Sequence, residues 1–203
     1  MYVCYKQIHT YKLSKKLITY YLRNFNNTCC KKWLEHCLNK ANITAVEINT
    51  GSVTLAPKDT QKGEQIIKKA GFQIIQDKNL IKIEAIKQAI YELIHLQSNQ
   101  NSIIQKSEYL IEKLEMPYSS ISKLFSRYES STLERYIIKN KIIKIIDLIE
   151  HEDYTLSEIA YMMDYSSVQH LSNQFKKETS YTFSDFKNLD SDSKHQILEH
   201  LGE

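Results

Sequence analysis

The chain has 203 residues, of which 42% are hydrophobic and 25% charged, a balance typical of a folded protein rather than a disordered one. At roughly 100 to 200 residues per domain, this length permits two small domains. The formal net charge is only +3, no apolar run approaches the roughly 20 residues that span a bilayer, and residues 1–17 lack the apolar stretch of a secretory signal. We therefore expect a cytoplasmic protein with no membrane partner.

The first part of the chain alternates predicted strands with predicted helices. The order is strand, helix, two strands, helix and strand, over residues 17–25, 29–40, 44–55, 60–70 and 72–76. Asn49, Thr50 and Gly51 separate the two middle strands, and a glycine can adopt the positive φ that a tight hairpin needs. A βαββαβ order forms a ferredoxin-like sheet with two helices on one face, so we predict an α+β fold with a ferredoxin-like domain over residues 17–78, preceded by an amino-terminal extension, residues 1–16.

Residues 79–102 are predicted to form a linker helix that ends in a polar loop. Its apolar side chains recur at spacings of three and four, from Leu80 to Ile94, and give the helix one apolar stripe. Such a stripe packs either on its own chain or on a second copy, so a homodimer through this helix or through the amino-terminal domain is a candidate assembly. At the other end, residues 189–203 are predicted to be a polar tail with a short amphipathic segment.

Two helix-turn-helix patterns follow the linker. In the second, Thr155 and Glu158 have the spacing of a capping box, residues 163–165 form the turn, and a helix over 166–178 turns Leu171 and Phe175 inward. In the first, a supporting helix over 108–114 precedes a turn at Met116 and Pro117 and a helix over 118–129.

The helix over 118–129 turns Ile121, Leu124 and Phe125 inward and leaves polar residues outward. Between the two patterns, Ser131 and Glu134 have another capping-box spacing, and an apolar stripe continues to Ile149. This spacing predicts a long buried helix that connects the two units.

The arrangement resembles the DNA-binding domain of the AraC/XylS family of bacterial transcription regulators, over about residues 107–187. The stretch that carries most of the resemblance is LSEIAYMMDYSSVQHLSNQFKKETSYTFSDFK, residues 156–187. In that family two helix-turn-helix units, joined by a long helix, insert into successive major grooves. The resemblance implies an AraC-type domain over 103–188 and a sequence-specific regulator whose partner is double-stranded DNA, with RNA polymerase as a further candidate partner; it implies neither an enzyme nor a cofactor.

Within this resemblance, the recognition helices span about 118–128, the first reader, and 166–177, the second reader. The positions that correspond to base contacts are Ser119, Ser122 and Lys123 in the first reader and Val168, Gln169 and Asn173 in the second. Gln and Asn can bond bidentately to adenine, Lys can donate to guanine, and Val can meet a thymine methyl group. The phosphate-contacting candidates, which position without specifying, are Arg127, Lys176 and Lys177.

The chain departs from the family pattern at three places. The family favours Gly at the turn of the second unit and again after the second reader, where this chain has Asp164 and Ser180. Asp tolerates a left-handed backbone, so we expect a costlier turn rather than a missing one. Phe183 stands where the family commonly has Pro.

Charge alone does not predict DNA binding. Residues 103–188 carry 11 Lys and Arg against 13 Asp and Glu, a net of −2, whereas residues 1–102 carry 15 against 7, a net of +8. A helical protein-interaction adaptor is therefore the alternative interpretation. An enzyme is disfavoured, because the chain has no Gly-rich phosphate loop, nucleophile elbow or spaced His/Asp/Glu constellation.

The cysteines allow a second alternative, a metal-responsive sensor. The βαββαβ pattern with thiols after its first strand resembles the heavy-metal-associated fold, but that fold uses Cys-x-x-Cys, and this chain has the adjacent pair Cys29 and Cys30. Adjacent cysteines at a helix start point apart, so we predict no metal site and name these two thiols only as the candidates for one. Cys37 is expected to pack as a small hydrophobe, and Trp33 and Leu34 to lie in the core.

Overall fold

The computed structural model describes residues 17–25, 28–96, 103–151 and 154–202. The chain divides into two compact units between Ile75 and Gln76, called here the sheet unit and the helical unit. The predicted extension over residues 1–16 and the polar loop that ends the predicted linker lie outside the described residues.

Within the described residues, the sheet unit contains four strands and two α-helices in the predicted order. They are β1 (Ile18–Leu22), α1 (Thr28–Lys40), β2 (Glu47–Asn49), β3 (Ser52–Leu55), α2 (Thr60–Lys69) and β4 (Ile74–Ile75). The strands form one antiparallel sheet in the order β2-β3-β1-β4, with Tyr20 opposite Val53 in the β1–β3 register. A small antiparallel sheet followed by helices confirms the α+β class, although β1 and β4 are shorter than the sequence predicted.

The hairpin between β2 and β3 turns at the predicted glycine. Gly51 has φ 79°, the left-handed region that glycine adopts without strain. Its N–H donates to the Phe25 carbonyl at 2.7 Å, and its own carbonyl accepts from the Leu22 N–H at 2.9 Å. The turn is thereby joined to the end of β1.

Apolar side chains from the strands and from both helices meet in one core. Its fully buried members are Leu22, Phe25, Leu34, Leu38, Ile43, Val53, Leu55 and Ile67. The prediction that Trp33 lies in this core is wrong, since its side chain is 53% exposed. Leu34 and Leu38 take the inward face of α1, and Trp33 instead lies at the side of the helix, where its indole Nε1 donates to the Ala70 carbonyl at 3.1 Å.

The helical unit contains eight helices within the residues that the structure describes. They are α3 (Lys78–Tyr91), α4 (Ile103–Leu114), α5 (Tyr118–Tyr128), α6 (Leu133–His151), α7 (Leu156–Met162), α8 (Val168–Thr179), α9 (Phe183–Lys187) and α10 (Ser191–Gly202). A π-type turn, Glu92–Leu96, follows α3. Asp77 caps α3 by accepting from the N–H groups of Asn79 and Leu80.

A single apolar core runs through the helical unit. From α6 it includes Ile142, Ile145, Ile146 and Ile149, as the predicted stripe requires. The predicted linker helix packs on its own chain, because Ile83, Ile86 and Ile90 of α3 belong to the same core. Leu201 of α10 is also buried there, so the predicted polar tail ends in a packed helix.

The capping box predicted at Ser131 and Glu134 is wrong. The Thr132 hydroxyl accepts from the Arg135 N–H at 3.2 Å, so the cap of α6 stands one residue later than the spacing suggested. The Glu134 carboxylate is turned toward α5 instead, where it meets side chains of the first reader.

Candidate nucleic-acid interface

The first helix-turn-helix unit is formed by α4 and α5. Glu115, between them, has φ 52°, and Pro117 precedes the first turn of α5. Ile121 and Phe125 are fully buried, as predicted, and the Phe125 ring lies 5.1 Å from the Tyr136 ring of α6. The outward face of α5 is thereby fixed relative to the connecting helix.

The second unit is formed by α7 and α8 and begins at the predicted capping box. The Thr155 hydroxyl accepts from the Glu158 N–H at 3.3 Å, and the Glu158 carboxylate accepts from the Thr155 N–H at 2.8 Å. These hydrogen bonds hold the pKa of the exposed Glu158 carboxyl below its ordinary value. The backbone N–H groups of Thr155 and Glu158 thus both have hydrogen-bond acceptors at the start of α7.

The turn of the second unit contains a residue with a left-handed backbone. Asp164 has φ 57°. From α6, the Lys141 ammonium donates to the Met163 carbonyl at 2.9 Å and lies 5.2 Å from the Tyr165 ring. A cation at the carboxyl end of α7 interacts favourably with the negative end of the helix dipole. The connecting helix therefore holds this turn with a charged hydrogen bond.

Stacked aromatic rings secure the end of α8. Ser180 caps the helix with φ 69°, again where the family pattern has glycine. The buried Phe175 ring stacks on Phe183 at 4.2 Å and meets the edge of Phe186 at 5.5 Å. Phe183 thus packs α9 against the second reader.

The first reader exposes two of its three predicted base contacts. Ser119 and Lys123 are exposed, whereas Ser122 is half-buried. The Ser122 hydroxyl donates to Glu134 at 3.4 Å, and the Tyr118 hydroxyl donates to the same oxygen at 3.5 Å. Ser122 is therefore turned toward the start of α6.

Two of the predicted base contacts of the second reader are brought together by the structure. Gln169 and Asn173 are exposed one turn apart, and Gln169 Nε2 donates to Asn173 Oδ1 at 2.9 Å. Val168 is half-buried and packs against the apolar core, so it is placed apart from this amide pair. Next to them, the Ser166 hydroxyl lies 3.1 Å from His170 Nδ1.

The predicted phosphate contacts are all exposed near the carboxyl ends of the readers. Lys176 and Lys177 lie in the last turn of α8, and Arg127 lies 6.0 Å from the Tyr128 ring at the end of α5. Within the described part of the chain, none of these three side chains forms an ion pair, nor does Lys123. Their charges are accordingly available to a phosphate.

Many acids of this unit are engaged within the fold. Glu158 belongs to a helix cap, Asp185 hydrogen-bonds to Thr182 at the start of α9, and Glu129 pairs with Lys87. A net charge of −2 thus coexists with readers whose exposed cations are unpaired within the described residues. These three of the 13 acids over residues 103–188 therefore occupy structural positions.

Sequence analysis did not identify Tyr118, the first residue of the first reader, and it assigned Glu134 to a helix cap instead of to the contact with this reader. Burial raises the pKa of the Tyr118 hydroxyl, with a further contribution from the Glu134 charge. The spacing of Tyr118 and Ser122, one turn apart, could have shown that they share a face. The contact with Glu134 comes from another helix and has no such signal.

The candidate thiols of the sheet unit do not converge. Cys29 is exposed at the first turn of α1, whereas Cys30 is half-buried and packs against the core. Among the described residues, no group of His, Cys, Asp and Glu side chains is of a size that could hold a metal ion. The long apolar helices needed to cross a membrane are likewise absent from the described ranges.

Comparison with known proteins identifies the same region. Residues 110–188 match a family described as a helix-turn-helix domain. The HTH-type transcriptional activators RhaS of Salmonella arizonae, Salmonella paratyphi B and Salmonella newport are each 24% identical over 80 residues, which are 39% of this chain and 29% of those proteins. No solved structure matches the chain.

The chain therefore contains a helix-turn-helix domain similar to that of DNA-binding transcription regulators, which are not enzymes. The matched segment spans less than a third of the length of these relatives.

Proposed function

We propose that this chain is a sequence-specific transcription regulator of the AraC/XylS type that binds double-stranded DNA in the cytoplasm of a bacterium. In this proposal α5 and α8 enter successive major grooves, each of which is about 12 Å wide and admits one helix. The observation that carries the proposal is the repetition of one geometry. Both units have a supporting helix, a left-handed turn residue, Glu115 or Asp164, and a second helix with a buried apolar face and an exposed polar face.

The second reader supplies the strongest candidates for base recognition. Gln169 and Asn173 present two amide groups on one exposed face, and each amide can bond an adenine edge bidentately. In the first reader, the exposed Lys123 is the candidate donor to guanine, with Ser119 beside it. Ser122 and Val168 remain in the proposed set, Ser122 at the groove edge beside Glu134 and Val168 for a thymine methyl.

Arg127, Lys176 and Lys177 are proposed to bind phosphates. Their exposure and their freedom from ion pairs within the described residues support this assignment. Phosphate contacts release counterions from DNA and make affinity fall as salt rises.

The sheet unit is proposed to be a ferredoxin-like domain over residues 17–78. This is supported by the antiparallel strand order β2-β3-β1-β4 and by the two helices that share one core with the sheet. The same fold serves many unrelated functions, so this assignment does not itself imply a ligand. A second copy of the chain and RNA polymerase are proposed as further partners of the regulator.

Selection of bound sequences from random duplex DNA, followed by gel-shift titration, tests the function. We expect the purified protein to enrich one bipartite sequence and to bind it with an affinity that falls steeply between 50 and 200 mM salt, about the range in which phosphate contacts are lost. A matched duplex of scrambled sequence is the control. Equal binding to both duplexes would contradict sequence-specific recognition, and binding to neither would support the adaptor instead.

A further inference from the structure

The first reader is anchored at its carboxyl end by α3, the helix that precedes both helix-turn-helix units. Lys87 of α3 places its ammonium nitrogen 3.0 Å from Glu129 Oε1, at the residue that follows α5. Eight residues earlier on α3, Asn79 Nδ2 donates to the Tyr128 hydroxyl at 2.8 Å. Two polar contacts from one helix therefore meet the last residue of α5 and its cap.

The ion pair is enclosed by protein. The side chain of Lys87 is 7% exposed and that of Glu129 is 17% exposed. Glu84, one turn before Lys87 and equally buried, lies 3.6 Å from the same ammonium group. A buried charge is stable only with a well-placed partner, so this pair fixes the separation of α3 and α5 far more strictly than a surface pair does.

Glu129 lies at the carboxyl end of α5, where its charge needs a cation beside it. Its N–H donates to the Phe125 carbonyl at 2.9 Å and so closes the last turn of α5. A carboxylate is disfavoured at the carboxyl end of a helix, where the dipole is negative, and a cation is favoured. Lys87 therefore stabilises both the Glu129 carboxylate and the end of the reader.

Tyr136 of the connecting helix α6 lies next to Glu84 and Glu129. Burial raises the pKa of the Tyr136 hydroxyl to about 12, and the nearby Glu84 and Glu129 charges contribute to the increase. The ring of Tyr136 also packs on Phe125 of α5. The end of the first reader is thus held between α3 and α6.

We infer that Lys87 and Glu129 are positioning residues for base recognition by the first reader. The inference rests on the proposed function and goes beyond the matched domain, because Lys87 lies outside residues 110–188. Fixing the carboxyl end of α5 sets the tilt at which its outward face, with Lys123, meets the groove. The second reader is held differently, through Lys141 at its turn and Phe175 near its end.

The test is footprinting on the sequence that the unaltered protein selects from random duplex DNA. Two variants assign the halves of this sequence to the two helices. The half whose protection Lys123→Ala weakens is assigned to α5, and the half whose protection Gln169→Ala weakens is assigned to α8. We expect Lys87→Met and Glu129→Gln to reduce protection of the first half at least tenfold and to leave the second half within about twofold.

Three further variants separate positioning from folding. Tyr128→Phe removes only the hydroxyl bound by Asn79, and we expect a severalfold loss confined to the first half. Lys87→Glu combined with Glu129→Lys exchanges the charges of the pair; it is made together with Glu84→Gln, because the Glu84 carboxylate would otherwise face a second carboxylate, and it should recover most of the first-half protection. The matched control, Lys113→Met, removes another 3.0 Å ion pair, with Glu92, from the supporting helix α4 and should affect neither half selectively.

All footprints are taken well below the melting temperature of each variant, as measured by circular dichroism. Equal loss of protection from both halves in Glu129→Gln and Tyr128→Phe, or no loss from either half, would overturn the inference but leave the proposed function standing. Failure of the unaltered protein to enrich any sequence would overturn the proposed function and the inference with it.

Discussion

Gln169 and Asn173 of the second reader are hydrogen-bonded to each other, with Gln169 Nε2 donating to Asn173 Oδ1 at 2.9 Å. The bond leaves the Gln169 carbonyl oxygen and the Asn173 amino group free to face a base edge, because each amide carries two donors and an acceptor. The two side chains therefore act as one preformed surface, in which each amide holds the orientation of the other.

We predict that Gln169→Ala and Asn173→Ala each weaken binding to the selected sequence by about 1 to 3 kcal/mol, while binding to scrambled duplex changes little. Because the amides orient each other, the double variant should lose less than the sum of the single losses. A double-variant cycle in gel-shift titrations measures this coupling. Equal losses on selected and scrambled duplexes for Gln169→Ala would remove it from the base-reading residues.

Lys176 should behave differently from the amide pair. It is exposed in the last turn of α8, where a phosphate contact carries no sequence information. We predict that Lys176→Ala weakens binding to selected and scrambled duplexes alike and lowers the slope of log affinity against log salt concentration by about 1. The control is Lys187→Ala, which removes an exposed cation from α9 instead of the reader and should leave the slope unchanged. An unchanged slope for Lys176→Ala, or a loss confined to the selected duplex, would contradict a phosphate role.

The helices α5 and α8 and their buried faces could be predicted from the sequence because their signals are local. Spacings of three and four residues identify the buried faces at Ile121 and Phe125 and at Leu171 and Phe175, and the Thr155 capping box marks a helix start within four residues. Such patterns depend on backbone geometry that neighbouring residues determine.

Contacts between distant segments were not predictable in the same way. The capping box assigned to Ser131 fails because Thr132 also offers a hydroxyl, and Glu134 is then engaged by Tyr118 and Ser122 of another helix. The Lys87–Glu129 pair joins residues 42 positions apart, for which one sequence carries no periodic signal. The prediction that Trp33 lies in the core fails because an aromatic residue on an amphipathic helix can also lie at the edge of the apolar face.

Ser180 offers a test of local backbone strain. Its φ of 69° lies in the left-handed region, which costs a residue with a Cβ roughly 1 to 2 kcal/mol relative to glycine. Because glycine also loses more conformational freedom on folding, we predict a net gain of about 1 kcal/mol or slightly less for Ser180→Gly. Thermal unfolding measures it, and Ser180→Ala, which keeps a Cβ at the same φ, is the matched control. Equal melting temperatures for the glycine and alanine variants would show that the turn is not strained.

His95, in the π-type turn after α3, should make the helical unit sensitive to acid. Burial and, to a smaller extent, the Lys144 charge lower its pKa from 6.5 to about 4, against the opposing effect of the Asp147 charge. The imidazole also stacks on the Tyr91 ring at 4.4 Å. Between these pH values the unfolded chain binds a proton that the folded chain excludes. The free energy of unfolding should therefore be at its full value above pH 6.5 and fall as the pH drops toward about 4.

We predict that His95→Phe, which keeps a ring for Tyr91 but cannot be protonated, flattens this part of the pH profile. Urea unfolding at a series of pH values between 7 and 4 measures the effect, with the unaltered chain as the reference. The decisive quantity is the difference in slope between the two proteins, since carboxylates titrate in both and cancel. Parallel profiles would show that His95 takes up its proton equally in the folded and unfolded states.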